Sequence, residues 1–238
     1  MRAVLFDFAG TLFDDRALRD VHLRQLRFVA RAAGVEVTDG ELRAAYRQGM
    51  GVAYRAVAVQ ASYPHRTLFG AAFAATAVAL GGTIDEATAD EAVDRQYRAT
   101  IEEAVLRPDC LETLGTLQRS SLHVQIVSNI DDEQFEPMLE RLDLFRVIDA
   151  WTSSEQADSC KPDPAIYRLA VTKAGVVPEQ ALFVGDSIRH DVEGPAVLGM
   201  RTAWLAPRDG ADPGSARPNA VITALAEVLD LAVVGVVR

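Results

Sequence analysis

The second half of this sequence alternates short apolar runs with amphipathic segments, and this alternation limits the possible folds more than any other feature. From Pro108 onward, apolar runs predict strands and the segments between them predict helices. The predicted strands are 124–127, 181–184 and 201–204, with a further apolar stretch through 147–148, and the predicted helices run to about 119 and over 131–141, 163–174 and 188–198, with a last helix within 220–231. Repeated strand–helix units are typical of a parallel sheet that has helices on both faces.

The first strand of this sheet is predicted far upstream. The apolar run 3–8 is followed by Ala9-Gly10-Thr11, which is typical of a buried strand that ends in a tight turn. Between about 14 and 107 the periodicity is helical, with Asp14 and Asp15 as candidate caps. Helices are expected up to Gly34 and over 39–48, 52–61, 67–80 and 85–105. We therefore predict a helical domain inserted after the first strand.

Composition excludes several classes of protein. The 238 residues carry a formal net charge of −10, which argues against a nucleic-acid partner, and 49% of them are hydrophobic, which excludes a disordered chain. No window approaches the roughly 18 consecutive apolar residues that a membrane span needs. Cys110 and Cys160 are too few for a disulfide scaffold. A cytoplasmic protein without a membrane partner is expected.

Polar side chains follow the predicted strands at the points where they end. Asp7 closes the first strand, Ser128-Asn129 follow the second, and Asp186 follows the third with Asp191 five residues later. Ligands bind at the carboxyl ends of parallel strands, so these groups are expected to converge. Converging carboxylates repel each other unless a cation neutralises them, and Mg²⁺ with a phosphate group fits that requirement.

The same edge offers donors for a phosphate. Candidates are the hydroxyls of Thr11 and Ser128, the backbone N–H of Asn129 at a helix start, and the ammonium of Lys161. A carboxylate that lies in line with the phosphorus can attack it and form an aspartyl-phosphate, which water then hydrolyses. Asp7 is the only acid at the end of the first strand.

Four ordered segments carry a resemblance to a known family. They are Asp7-x-x-Gly10-Thr11, Ser128-Asn129, Lys161-Pro162-Asp163-Pro164, and Gly185-Asp186-Ser187 with His190-Asp191. In order and spacing they resemble the motifs of the haloacid dehalogenase-like hydrolase superfamily. The resemblance implies a Rossmann-like catalytic core formed by 1–13 and 108–238 and an all-helical cap formed by 14–107. It also implies a Mg²⁺ site formed by Asp7, the Ala9 carbonyl, Asp186 and Asp191, with Thr11, Ser128 and Lys161 as catalytic groups and a small phosphorylated metabolite as substrate.

One residue departs from the family pattern. Most phosphatases of this superfamily have a second aspartate two residues after the nucleophile, where it moves protons, and this chain has Ala9. Phosphonoacetaldehyde hydrolases also lack that acid, but they use a cap lysine three residues after a Met-Gly pair, and the residue after Met50-Gly51 at that spacing is Tyr54, a candidate substrate contact. The only lysines are Lys161 and Lys173, so imine chemistry from the cap is excluded.

Three alternatives stay open for the missing acid. The leaving group needs no proton, as in an acyl or aryl phosphate; a cap residue donates one; or turnover is slow or absent and the protein binds phosphate without catalysis. Cap donors would come from His22, Tyr46, Tyr54 and His65, and Arg47, Arg55 and Arg66 could bind an anionic substrate. A metal-independent 2-haloacid dehalogenase is a further alternative, which the acids at 186 and 191 disfavour. The sequence does not indicate a protein partner.

Overall fold

The computed structural model describes residues 1–13, 18–57, 60–207 and 212–236, with side chains up to residue 232. Contacts divide the chain into two compact units. The first consists of Met1–Asp15 and Val105–Arg238, and the second of Arg16–Ala104. The second unit is thus inserted between the first strand and the rest of the sheet, close to the limits of 14 and 107 expected from the sequence.

The first unit contains a six-stranded sheet in the order β3-β2-β1-β4-β5-β6, and every neighbouring pair is parallel. The strands are β1 Ala3–Phe6, β2 His123–Ser128, β3 Ala150–Ser153, β4 Ala181–Gly185, β5 Arg201–Leu205 and β6 Ala220–Ile222. The predicted α/β class with a Rossmann-like parallel sheet is confirmed. All four residues of β1 are buried, as expected for a central strand with neighbours on both sides.

Ten α-helices occur in the described part of the chain. They are α1 Arg19–Ala32, α2 Asp39–Val57, α3 His65–Ala79, α4 Glu86–Glu103, α5 Cys110–Arg119, α6 Asp132–Arg141, α7 Ser154–Ala157, α8 Pro164–Lys173, α9 Gly194–Ala196 and α10 Val228–Val236. In α8 the buried positions Ile166, Tyr167, Ala170 and Val171 recur at helical spacing and pack in one cluster with sheet residues such as Phe183.

The second unit, as far as it is described, is all-helical. Helices α1 to α4 pack around their own apolar cluster, which includes Leu26, Leu42, Phe73 and Tyr97. A separate core of this kind is the property of a folding unit rather than of a surface loop. Its role as a cap stays a prediction.

One prediction about helices was wrong. The segments 39–48 and 52–61 are not separate helices, because α2 is continuous through Gly49 and Gly51. A Cβ on Gly49 would lie 2.6 Å from the carbonyl oxygen of Ala72 and 2.6 Å from Oγ1 of Thr76, so this glycine allows α2 and α3 to approach closely. The last helix, Val228–Val236, begins within the expected range 220–231 and extends past it, whereas residues 220–222 form the edge strand β6, which pairs with β5.

Other boundaries also differ from the sequence expectation. The strand expected through 147–148 lies at Ala150–Ser153. The helix expected over 188–198 consists of a π-helical segment, Ile188–Glu193, followed by the short α9. The candidate caps Asp14 and Asp15 lie outside the described residues. No helix in the described ranges is both long and apolar enough to cross a bilayer.

Candidate active site

The site lies at the carboxyl edge of the sheet, where β1 ends between β2 and β4. The chain runs from β1 to β2 on one side, whereas β4 pairs with β1 on the other, so β1 marks the point at which the strand order reverses. Ligand sites of open parallel sheets form at this point. The backbone N–H of Asp7 donates to the carbonyl of Val184 at 2.8 Å, which continues the β1–β4 pairing to the site residue itself.

Three aspartates converge at this edge, as the sequence predicted. Asp7, Asp186 and Asp191 each place a carboxylate oxygen within 4.8 Å of the other two. Asp7 and Asp191 are buried, with exposed fractions of 6% and 0%, whereas Asp186 is exposed. The cluster therefore has two carboxylates held inside the protein and one that faces solvent.

Lys161 pairs with the two buried members of this cluster. Its Nζ donates to Oδ1 of Asp7 at 2.5 Å and to Oδ1 of Asp191 at 2.8 Å, and its side chain is 3% exposed. Burial alone would lower the pKa of Lys161, but the charges of Asp191 and Asp7 outweigh it and raise that pKa above its usual range. The lysine is thus an ammonium that bridges two buried carboxylates.

Both carboxylate oxygens of Asp191 are already engaged. Oδ1 accepts from Lys161, and Oδ2 accepts from the backbone N–H of Ser187 at 2.9 Å. Burial raises the pKa of the Asp191 carboxyl, and the Lys161 ammonium opposes that shift. Gly185 leaves room for this packing, since a Cβ there would lie 2.3 Å from Cγ of Asp191. Asp191 is therefore suited to hold Lys161 and the loop after β4.

Thr11 and Gly10 lie in the turn after β1 and face the other two aspartates. The Thr11 hydroxyl is 3.2 Å from Oδ2 of Asp7 and 3.4 Å from Oδ1 of Asp186. Gly10 has a φ of +84°, and a Cβ there would lie 2.5 Å from Oδ2 of Asp186. Only glycine combines this left-handed backbone with such a close carboxylate.

Ser128 and Asn129 lie at the end of β2, the other neighbour of β1. Ser128 is the last residue of β2 and is 4% exposed. The Asn129 side chain holds the backbone of Lys161 on both sides, because its Nδ2 donates to the Lys161 carbonyl at 3.0 Å and its Oδ1 accepts from the Lys161 N–H at 2.6 Å. The expected helix start at Asn129 is wrong, since α6 begins at Asp132. The substrate contacts expected of both residues stay predictions.

Ala9 and Tyr54 are the remaining predicted site residues. Ala9 is exposed just beyond β1, and the ligation of a metal by its carbonyl stays a prediction. Tyr54 lies on α2 in the second unit, where it is 47% exposed and its ring centroid is 6.5 Å from that of Tyr63. Its contact with substrate also stays a prediction.

Two residues that the sequence did not indicate hold the strand-end loops. Arg107 donates to the carbonyls of Gly10 and Thr11, and the indole N–H of Trp204 donates to the carbonyl of Asp186 at 2.9 Å. The position of Trp204 at the end of β5 was a possible signal, because side chains at that edge face the same region. Arg107 carried no such signal, since it lies 96 residues after Thr11.

The donor set fits a small divalent cation. Three carboxylates against one ammonium leave an excess of negative charge, and oxygen ligands are those that Mg²⁺ prefers. Lys161 and the backbone N–H of Ser187 engage both oxygens of Asp191, whereas Lys161 bonds neither Oδ2 of Asp7 nor the exposed carboxylate of Asp186. These two residues are therefore the better candidates for direct metal contact, and Asp191 for support.

Comparisons with known proteins show the family of this chain and the likeness of its fold. The model of a family described as haloacid dehalogenase-like hydrolase matches residues 1–199. A phosphoglycolate phosphatase of Salmonella typhimurium is 36% identical over 113 residues, 47% of this chain and 44% of that protein, so the chain spans slightly less than half of the relative's length.

Solved structures resemble almost the whole chain. The HAD hydrolase YfnB of Bacillus subtilis, crystallised with magnesium, has a TM-score of 0.78 at 21% identity and covers 97% of both chains. A dehalogenase with an intermediate complex has a TM-score of 0.70 at 27% identity, over 97% of this chain and 96% of that one. The likeness to YfnB, at 21% identity, concerns the fold alone.

Proposed function

Because this chain belongs to the haloacid dehalogenase-like hydrolase family, we propose that it is a Mg²⁺-dependent phosphohydrolase that acts on a small phosphorylated metabolite. The observation that carries the proposal is that Asp7 and Asp186 lie close together beside the buried Lys161, at the point where the strand order reverses. The curated relatives are phosphatases, and the match to them is partial. The cytoplasmic location expected from the sequence stays a prediction.

Asp7 is the proposed nucleophile. One of its carboxylate oxygens attacks the phosphorus, the bond from phosphorus to the leaving oxygen breaks, and that oxygen departs with the electron pair. Water then attacks the phosphorus of the aspartyl-phosphate and releases inorganic phosphate, which regenerates Asp7. Lys161 donates to Oδ1 of Asp7 at 2.5 Å and so fixes the orientation of the carboxylate that attacks.

Mg²⁺, when bound, would neutralise charge on the transferring phosphoryl group. Asp7 and Asp186 would hold the ion, with the Ala9 carbonyl as a third ligand. Thr11 and Ser128 would donate to the phosphoryl oxygens, and Asn129 would add its backbone N–H. Asp191 orients Lys161 and the loop after β4, a supporting role of the kind that metal sites require.

Ala9 limits the rate for ordinary esters. A methyl group cannot protonate a leaving alkoxide, and general acid–base help is worth about 10²–10⁴-fold in rate. The absence of a general acid slows the hydrolysis of acyl and aryl phosphates least, because their leaving groups are stable anions. The same residue supports the second candidate function, a phosphate-binding member of the family that turns over slowly or not at all.

The test is phosphate release from a panel of alkyl, aryl and acyl phosphates, with and without Mg²⁺. Asp7→Asn should abolish release, whereas Asp143→Asn is a matched control. Asp143 is exposed, and asparagine tolerates its left-handed backbone (φ 56°). Release that survives in Asp7→Asn would refute the mechanism. Binding of Mg²⁺ and phosphate without release would favour the second candidate.

The dehalogenase likeness provides a third outcome of the same experiment. Metal-independent release of halide from a 2-haloacid, with no phosphate release, would show that Asp7 attacks carbon rather than phosphorus. The carboxylate of Asp186 argues against this outcome, since an additional negative charge within 4.8 Å of the nucleophile needs a cation to offset it.

A further inference from the structure

Arg107 bonds three consecutive carbonyls in the turn after β1. Its Nη2 donates to the carbonyl of Gly10 at 2.6 Å and its Nε to that of Thr11 at 2.8 Å. Its own backbone N–H donates to the carbonyl of Leu12 at 2.9 Å. One residue therefore determines the direction of three successive peptide groups.

The guanidinium is used for the turn rather than for an ion pair. Within the described ranges, no salt bridge joins Arg107 to a carboxylate. Arginine is suited to this task, because its planar fork presents several N–H donors at fixed angles. A lysine at the same place would keep the charge but would lose the paired geometry.

The turn that Arg107 holds carries the contacts of the site. Thr11 places its hydroxyl between Oδ2 of Asp7 and Oδ1 of Asp186, at 3.2 and 3.4 Å. Gly10 presents its bare Cα to the carboxylate of Asp186. A shift of this turn would therefore change the spacing between Asp7 and Asp186, the two proposed metal ligands.

Arg107 also lies where the chain returns to the sheet. The second unit ends at Ala104, and a short antiparallel bridge pairs Leu106 with Phe13 just before the arginine. The segments that enter and leave the inserted unit are thus joined beside the catalytic turn. The bridge fixes the backbone of Arg107 next to the carbonyls that it bonds.

We propose that Arg107 is a positioning residue of the reaction. It holds the turn of residues 10–12 so that the Thr11 hydroxyl and the Asp186 carboxylate keep their places against Asp7. This inference rests on the proposed function, because the reaction gives the positioning its consequence. Arg107 touches neither the phosphoryl group nor the leaving group in this role.

The experiment compares Arg107→Gln, Arg107→Lys and Arg107→Ala with the wild type. Arg119→Gln is the matched control, since Arg119 is exposed and its guanidinium donates, within the described ranges, to Oγ1 of Thr116. Two readouts are needed: kcat and KM for the best phosphate ester, and the midpoint of Mg²⁺ binding without substrate, measured by isothermal titration calorimetry. The second readout does not depend on turnover.

Loss of a residue that orients a metal site typically costs about 10–100-fold in activity or metal affinity. We expect a decrease of that size in the kcat of Arg107→Gln and a matching increase in the Mg²⁺ midpoint, with KM little changed. Arg107→Lys should recover part of the loss. Millimolar guanidinium chloride should raise the kcat of Arg107→Ala but not that of the wild type, because the free ion can donate to the same carbonyls.

Folded Arg107→Gln with wild-type kcat and Mg²⁺ midpoint would overturn the proposal. So would a loss that equals the loss of folded protein and that neither guanidinium nor lysine relieves. If the wild type released no phosphate at all, the proposed function would fail, whereas the Mg²⁺ midpoint would still decide whether Arg107 shapes the carboxylate site.

Discussion

Replacing Lys161 with methionine tests the electrostatic balance of the site. The ammonium bonds two carboxylates, and the side chains of Lys161, Asp7 and Asp191 are 3%, 8% and 1% exposed. Methionine keeps most of the volume but leaves both carboxylates without their cation. Removing one partner of a buried ion pair costs about 3–5 kcal/mol.

A second argument gives a similar upper limit for the destabilisation of Lys161→Met. The variant can escape the repulsion by protonating one aspartate, and at pH 7 this costs about 4 kcal/mol for a carboxyl of ordinary pKa. With a Tm change of about 2–4 °C per kcal/mol, we expect the metal-free Tm to fall by roughly 6–20 °C. The difference should shrink as the pH approaches 4, where protonation costs little.

The assay is thermal unfolding of Lys161→Met and wild type, with EDTA and with Mg²⁺. Lys173→Met is the matched control, because Lys173 is the chain's other lysine and bonds the carbonyl of Trp151 at the protein surface. Mg²⁺ should raise the Tm of Lys161→Met more than that of the wild type, since it supplies the missing positive charge. A metal-free Tm equal to that of the wild type would refute the reasoning.

Three further predictions concern the turn after β1, the loop of Lys161 and the short helical turn before α10. Gly10→Ala should lose about 1–2 kcal/mol of stability because alanine disfavours the left-handed backbone there, and it should weaken Mg²⁺ binding by displacing Asp186. The control Gly34→Ala, with φ +70° and nothing within 4 Å, should lose stability only. Thermal unfolding at several Mg²⁺ concentrations separates the two effects. Asn129→Ala should lower kcat while the fold persists, because the backbone N–H and carbonyl of Lys161 both lose their hydrogen bonds. Unchanged kinetics would contradict this role of Asn129. Backbone and side-chain hydrogen bonds from Thr223 lower the pKa of Glu227 in the folded protein. The ionised Glu227 therefore stabilises the fold above its unfolded pKa of about 4.3, and this stabilisation is lost as the pH falls through the lower folded pKa. The difference in Tm between wild type and Glu227→Gln should shrink between pH 7 and pH 3.

Local patterns in the sequence were sufficient for the class of fold. A buried strand reads as an uninterrupted apolar run, so β1, β2, β4 and β5 were located to within one or two residues. The aspartates at 7 and 186 were found in the same way, because a strand end is a local feature and parallel strands share an edge. Short edge strands such as β6 have little apolar surface to signal them, and this one was not predicted.

Contacts between distant parts of the chain were decided only in three dimensions. Gly49 looks like a helix breaker in sequence, yet its backbone packs against Thr76 of the neighbouring helix. Lys161 reaches Asp7 across 154 residues, and Arg107 reaches Thr11 across 96. Periodicity reports which face of an element is buried, whereas a hydrogen bond depends on the directions of two side chains that only the assembled sheet brings together. The sequence by itself therefore determined the architecture and the residue types at the strand ends, and the tertiary structure determined which atoms bond and which residue holds the turn after β1.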